Sequence, residues 1–311
     1  MRSRGWIGRC AAVGIMALGA PFACATAGRA QELEPRAYAN APVGLDFLLL
    51  GYGHSRGDVL LDPALPIEDG RAVLDLLLGR FVHTLDVFGR LGKFNVLVPY
   101  TRGTFEGLLN GEPASAFRSG FGDPRVELAV GLIGTPALRG REFAEHQAEH
   151  GRGTIIGASL QVVLPLGQYE PTKLVNLGSN RWSFRPQVGV ASALGSWDLE
   201  LYGSAWIFTD NPDFFGGSKL EQQTIYALQA HLSYTFRPGL WLALDGGYAD
   251  GGRTASDGVD ADNFQKNSRV GGTLSVPIAP RHGIKLAFSS GVATRIGGDY
   301  DSFLVAYQFL W

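Results

Sequence analysis

The sequence predicts an all-β fold, a transmembrane antiparallel β-barrel of about twelve strands. Three observations carry this expectation. Many segments alternate apolar and polar residues with period two, as strands with two different faces do. The connections between them alternate short and long, the pattern of periplasmic turns and external loops in outer-membrane barrels. Tryptophans fall at or near predicted strand ends, and the chain closes on Trp311, where interfacial aromatic girdles would put them. Alternation alone also fits a soluble sandwich, so the second and third observations decide.

The N-terminus comes first. Arg2 and Arg4 precede an apolar run over 11–25, and small residues lead into "TAGRAQELEP". This is the layout of a secretory signal peptide, with cleavage after Ala27 or, preferably, Ala30. A lipoprotein alternative at Cys24 lacks the usual Leu three residues earlier. Removing 1–30 takes away Cys10 and Cys24, so the exported chain has no thiol and no disulfide, although its compartment permits one. Four arginines leave as well, and the net charge falls from −2 to −6, which argues against nucleic acid as a partner. The predicted organisation is a signal over 1–30, a periplasmic segment over 31–41 and a single barrel over 42–311. No mature segment reaches eighteen consecutive apolar residues, so helical membrane spans are excluded.

Strands are expected at 42–53, 73–83, 89–104, 124–136, 153–165, 182–194, 197–208, 223–237, 240–250, 267–277, 283–293 and 299–311. The pattern is sharpest in "IYALQAHLSYTF" (225–236). There Tyr226, Leu228, Leu232, Tyr234 and Phe236 oppose Gln229, His231, Ser233 and Thr235. "WDLELYGSAWIF" (197–208), "WSFRPQVGV" (182–190), "RVGGTLSV" (269–276) and "IKLAFSSGV" (284–292) follow suit. In the last strand Phe303, Val305, Tyr307, Phe309 and Trp311 share one parity. "TLDV", "GS", "RPG" and "IAPRH" are tight turns, whereas 54–72, 105–123, 166–181, 209–222 and 251–266 are long loops. An even strand count places both ends in the periplasm. The connection 137–152 breaks the rule, being long on the periplasmic side, and "LRGREFAEHQAEHG" within it reads as helix. His146, Glu149 and His150 match the H-x-x-E-H zinc pattern. With neither a pocket nor a third ligand evident, a solvated helix capped by Gly151 is the simpler reading.

In a barrel the polar parity faces the lumen. The pore-lining candidates are Asp46, Glu127, Arg185, Asp198, Glu200, His231, Asp245, Arg269 and Lys285. These charges either pair and fill the interior or line a passage and select its solute. Trp182, Trp197, Phe309 and Trp311 are the membrane-interface candidates, while Trp206 and Trp241 fall on the inward parity. Apolar and aromatic residues in 56–70 and 210–217 either bind an apolar solute at the mouth or pack on one another.

At "PLGQYEPTKLVNLGSNRWSFRPQVGV" (165–190) the chain resembles the MetA-pathway phenol-degradation family of outer-membrane proteins, regarded as transporters. The likeness extends through "GRLGKFNVLVPY" (89–100), "GFGDPRVELAVGL" (120–132), "TDNPDFFGG" (209–217), "NSRVGGTLSVPI" (267–278) and "TRIGGDYD" (294–301). Leu166 and Glu170 depart from the expected Thr and Asp. The resemblance implies a barrel that takes up aromatic or other hydrophobic compounds, and it supplies no catalytic or binding residues.

The expected function is therefore passive passage of small solutes across the outer membrane. The lipid bilayer with its lipopolysaccharide, the barrel-assembly machinery and a small-molecule solute are the expected partners. No cofactor motif is read, since "GYGHSRG" (51–57) has the wrong spacing for a dinucleotide fingerprint. The alternative is a plugged barrel serving as a membrane enzyme or as a loop-based anchoring or adhesion module.

Overall fold

The computed structural model describes residues 33–60 and 67–311. The expected signal segment and its cleavage site lie outside the described residues. The ring begins with β1 (Asp46–Leu60), β2 (Ile67–Val87) and β3 (Arg90–Leu109). β4 (Glu112–Phe121), β5 (Arg125–Ile133), helix α1 (Gly140–His150) and β6 (Thr154–Val163) follow. β7 (Ser183–Leu194) and β8 (Trp197–Phe208) form a tight hairpin, and the short strands β9 (Asn211–Phe214) and β10 (Ser218–Gln222) come next. Then come β11 (Ile225–Arg237), β12 (Leu240–Gly251), β13 (Thr254–Ser256) and β14 (Val259–Asp260). β15 (Gln265–Ala279), β16 (His282–Thr294) and β17 (Gly297–Leu310) complete the chain.

Twelve of these strands close a barrel in the order β1-β2-β3-β5-β6-β7-β8-β11-β12-β15-β16-β17, and β17 pairs back onto β1. Closure is what hydrocarbon demands, because an unpaired backbone edge inside a bilayer has no water to bond. The seam runs from Phe47↔Leu310 to Leu60↔Gly297. It ends in a reciprocal backbone pair, Asp46 N to Trp311 O at 3.1 Å and Trp311 N to Asp46 O at 3.0 Å.

Three expectations about loops are corrected. Segments 54–60 and 67–72 continue β1 and β2 in unbroken register as far as Asp58↔Arg71, so the first hairpin extends well past residue 53. Alternation does not stop where the hydrocarbon does: Val59 is buried inside while Arg71 and Asp58 pair outside at 3.6 Å. Much of 105–123 is likewise strand. β4 pairs with the external half of β3 and β5 with the periplasmic half, so the two act as one partner interrupted at 122–124. Pro124, which lacks an N–H, sits in that break. The loops 209–222 and 251–266 contribute β9, β10, β13 and β14 to a separate four-stranded sheet. As expected, 137–152 holds a helix, α1, none of whose residues is buried.

Outside, the wall is apolar. Leu201, Leu228, Leu244, Val270, Phe288 and Val292 are all more than half exposed, a surface that only lipid or a partner can cover. Trp197 lies against Tyr234 at the turn end (4.8 Å between ring centroids), while Trp182 and Tyr226 stand exposed at the opposite end. The terminal residues form a ladder across the seam. His282 stacks on Phe309 (4.9 Å), Phe309 on Trp311 (5.2 Å), and Trp311 meets Phe81 of β2 (6.3 Å). The last residue is thus held by backbone and ring on both sides of the closing strand. Trp311→Ala keeps the backbone pair but removes the ring contacts, each aromatic pair being worth about 1 kcal/mol. The variant is expected to lose its folded-barrel band in unheated gel electrophoresis at a lower temperature than the native chain, whereas Trp311→Phe is expected to restore most of the difference.

Candidate functional site

The polar parity encloses a lumen, and the chain's own N-terminal segment occupies it. Residues expected in the periplasm, 33–41, instead cross the barrel interior. The reason is chemical: this segment carries Glu34, Arg36 and Tyr38, whose partners all lie on the inner wall. The Glu34 carboxylate pairs with Arg80 of β2. The Arg36 backbone N–H donates to Glu200 (2.8 Å), and its guanidinium reaches Asp198 (2.8 Å), Ser233 and Thr235 while lying 4.5 Å from the Trp241 ring. Lys93 Nζ donates to Ala37 O at 3.0 Å. Burial alone would raise the Glu34 carboxyl, but Arg80 and Lys285 beside it hold it at about 2. Burial also lowers the Arg36 guanidinium, with Asp198 and Glu200 acting in the opposite direction.

Tyr38 shows how the wall is shaped to receive the segment. Gly157 of β6 and Gly189 of β7 are cross-strand partners. A Cβ at Gly157 would overlap the Tyr38 ring, and one at Gly189 would come within 2.6 Å of it. Two bare backbones therefore make a flat seat for one aromatic ring. The ring meets Tyr202 edge-on at 5.3 Å; its hydroxyl donates to Ser159 (3.3 Å) and accepts from Gln187 Nε2 (3.2 Å).

The opposite end is capped by the connection 164–182. Its Val175 is buried with Val59, Ala72, Phe105 and Tyr300 in one apolar cluster. Asp123, fully buried, fixes this connection: its carboxylate accepts from Gly167 N (3.0 Å), Ser179 N (2.9 Å) and Ser179 Oγ (2.6 Å). Two cavities lined by described residues lie below the cap. One of about 270 Å³ surrounds the N-terminal segment between Arg80, Lys93, Trp241 and Lys285. The other, about 550 Å³, lies at the periplasmic mouth between Arg36, Asp198 and the helix residues Phe143 and Gln147.

Eight of the nine charged candidates point inward. Glu127 and Arg185 face each other at 3.8 Å, and Arg185 also lies 5.2 Å from the Trp206 ring. Asp198 is shared by Arg36 and Arg152 (2.7 Å). Glu200 caps the Arg36 N–H, six positions along β8 from the Arg185 level, so these two do not meet. His231 Nδ1 bonds Asp245 at 2.7 Å, and Asp245 also accepts from Thr273 (2.8 Å). Arg269 is tied to Ser289 and Tyr300 O, both at 3.2 Å. Lys285 Nζ sits 5.9 Å from the Trp241 ring. Asp46 is a correction: it shares the parity of exposed Leu50 and Tyr52 and bonds His83 at 2.8 Å on the outer rim. Unbroken register from Asp46↔His83 onward fixes that parity. Trp182, Trp197, Phe309 and Trp311 lie on the outward parity, and Trp206 and Trp241 on the inward one.

Sequence reasoning missed Glu34, Arg36, Tyr38, Arg80 and Lys93. Arg80 and Lys93 each sit in an apolar neighbourhood, "LLLGRFVH" and "LGKFNVLV", where alternation is faint. The facing pair Gly157 and Gly189 on the inward parity was the available signal that something packs against the wall. The outward pairs His54–Asp75 (2.9 Å) and His83–Asp46 carry no serine hydrogen-bonded to the histidine among the described residues. On α1, His146 and His150 stack at 4.5 Å on the exposed helix.

The family model described as "Putative MetA-pathway of phenol degradation" matches residues 56–303, well over half of the chain. Among solved structures, the COG4313 outer membrane channel from Pseudomonas putida F1 is similar at TM-score 0.76 and 22% identity, over 90% of this chain and 100% of that chain. The beta domain of the Bordetella autotransporter BrkA aligns at TM-score 0.49 and 9% identity, over 86% and 100%. NanC porin aligns at TM-score 0.46 and 9% identity, over 84% and 98%. The first likeness shows the barrel fold, and the other two are too distant to carry an argument. No curated protein matches the sequence.

Removing the Tyr38 ring tests how the segment is held. Tyr38→Ala deletes buried aromatic packing worth about 3 kcal/mol, enough to raise the displaced population roughly a hundredfold. An Ala37→Cys reporter, in a chain with Cys10 and Cys24 replaced by Ser, should react slowly with a thiol reagent beside native Tyr38. It should react far faster beside Tyr38→Ala.

Proposed function

The chain belongs to this phenol-degradation pathway family, and from that premise we propose that it is an outer-membrane channel for passive passage of small organic compounds, aromatic ones included. One observation carries the reading: a closed barrel encloses a polar lumen obstructed by a segment that is held without any strand ladder to the wall. Nothing in 33–45 pairs into the barrel wall as a strand. The part of the path below the cap therefore opens by moving nine or so residues, with no strand of the wall broken. The lining supports organic solutes, because Phe47, Leu49, Val82 and Trp241 share the 270 Å³ cavity with amides and charges. The Pseudomonas putida relative, described as an outer membrane channel, supports the same reading.

The alternative, a plugged barrel used for recognition through its loops, draws on the external sheet of β9, β10, β13 and β14. Bilayer recordings and liposome swelling separate the two. The native chain is expected to conduct weakly, and deletion of residues 33–41 is expected to raise conductance and swelling rates several-fold toward those of an open lumen. Silence from both forms with every small solute would sink the channel reading and favour the plugged barrel.

A further inference from the structure

The charges around the inner cavity do not balance. Arg80 is committed to Glu34, Arg185 to Glu127, and Arg36 to Asp198. Two cations remain. Lys93 Nζ donates to a neutral carbonyl, Ala37 O, and forms no ion pair among the described residues. Lys285 makes neither a hydrogen bond nor an ion pair among the described residues, and its ammonium lies 5.9 Å from the Trp241 ring. The carboxylates of the surrounding elements are already engaged: Glu200 by the Arg36 N–H, Asp198 by Arg36 and Arg152, Asp245 by His231 and Thr273. Two ammonium groups thus face one cavity with no carboxylate in ion-pair contact among the described residues, sharing the field of Glu34, which Arg80 already holds, inside a wall backed by hydrocarbon. Charges so placed are ordinarily paired.

We propose that this cavity is a binding site for a small organic monocarboxylate with a planar apolar body, held by Lys93 and Lys285 against Trp241. The proposal rests on the passage reading and narrows its solute class. The apolar half of the ligand is specified by the same lining. Phe47, Leu49 and Val82 face the cavity beside the Trp241 indole, while the Gln229 and Gln308 amides offer bonds to a ring substituent. A hydrated inorganic anion would leave the apolar surface unused, and a neutral ring would bring no anion to either lysine. A volume of about 270 Å³ suits a single-ring acid and not a long acyl chain.

The test uses the full barrel in detergent, titrated with benzoate, acetate and benzyl alcohol. Binding is read by calorimetry and by the tryptophan fluorescence change that Trp241→Phe abolishes. Benzoate should bind at least roughly tenfold more tightly than either control. Lys93→Met and Lys285→Met should each weaken benzoate roughly tenfold, and Lys285→Arg should restore it. Heat-modifiable gel migration confirms that each variant is folded. Absence of benzoate binding, or benzoate affinity unchanged in both Met variants, overturns the site. Acetate as strong as benzoate removes the apolar half of the claim, and benzyl alcohol as strong as benzoate removes the anionic half. Benzoate binding in a barrel that never conducts would sink the channel reading and leave the site standing. Conduction without benzoate binding would do the reverse.

Discussion

Backbone closure is the constraint on which the rest of this structure depends. In hydrocarbon every strand must hand its N–H and C=O groups to a neighbour, so the chain has to bring its last strand to its first. β17 meets β1 along an unbroken register, and Asp46 and Trp311 exchange backbone hydrogen bonds at the rim. Once the ring is closed, strand parity leaves no freedom: one set of side chains meets lipid and the other meets an enclosed interior. The outer set solves its problem by being apolar. The inner set has to satisfy buried polar groups without bulk water, and that shapes the lumen.

The N-terminal segment is part of that solution. Arg80, Asp198, Glu200 and Ser233 protrude from the wall into a space that twelve strands make too wide for side chains alone to bridge. Glu34 and Arg36 supply their counter-charges and donors. Tyr38 fills the flat ground over Gly157 and Gly189. The same contacts that neutralise the interior also obstruct it, so filling the lumen and passing a solute through it are alternative states of one set of residues.

The fold was legible because its signals are local. Tyr226 to Phe236 announces a two-faced strand by itself, and all twelve ring strands lie where alternation places them. Strand ends were less legible, since Arg56 to Leu60 and Glu112 to Phe121 keep strand geometry beyond the point where a bilayer would impose it. The inward charges on β5, β7, β8, β11, β12, β15 and β16 could be assigned from parity, because each strand alternates cleanly around them. Asp46 failed because it stands at the start of β1, before "FLLL", where both faces are apolar and parity has little to count. The lumen segment was not legible at all: Glu34, Arg36 and Tyr38 have no periodicity, and their positions depend on partners between 46 and 199 residues away.

How the segment is attached bears on what the barrel can do. A thirteenth strand added to the wall would be held by a continuous ladder and would leave only with the barrel's own unfolding. The observed segment is held by side-chain bonds to Glu200, Asp198, Ser233, Ser159 and Lys93, together with one seated ring. Such bonds net about 1 kcal/mol each where water can replace them, which makes the attachment firm but reversible. Lys285 lies at the centre of that balance, because it helps hold the Glu34 carboxylate ionised without being in ion-pair contact with it. An anion arriving beside Lys285 shares the field that anchors Glu34. By reciprocity, a solute that loosens the segment must itself bind better once the segment has moved, so a carboxylate solute and the N-terminal obstruction are competitors for one cation.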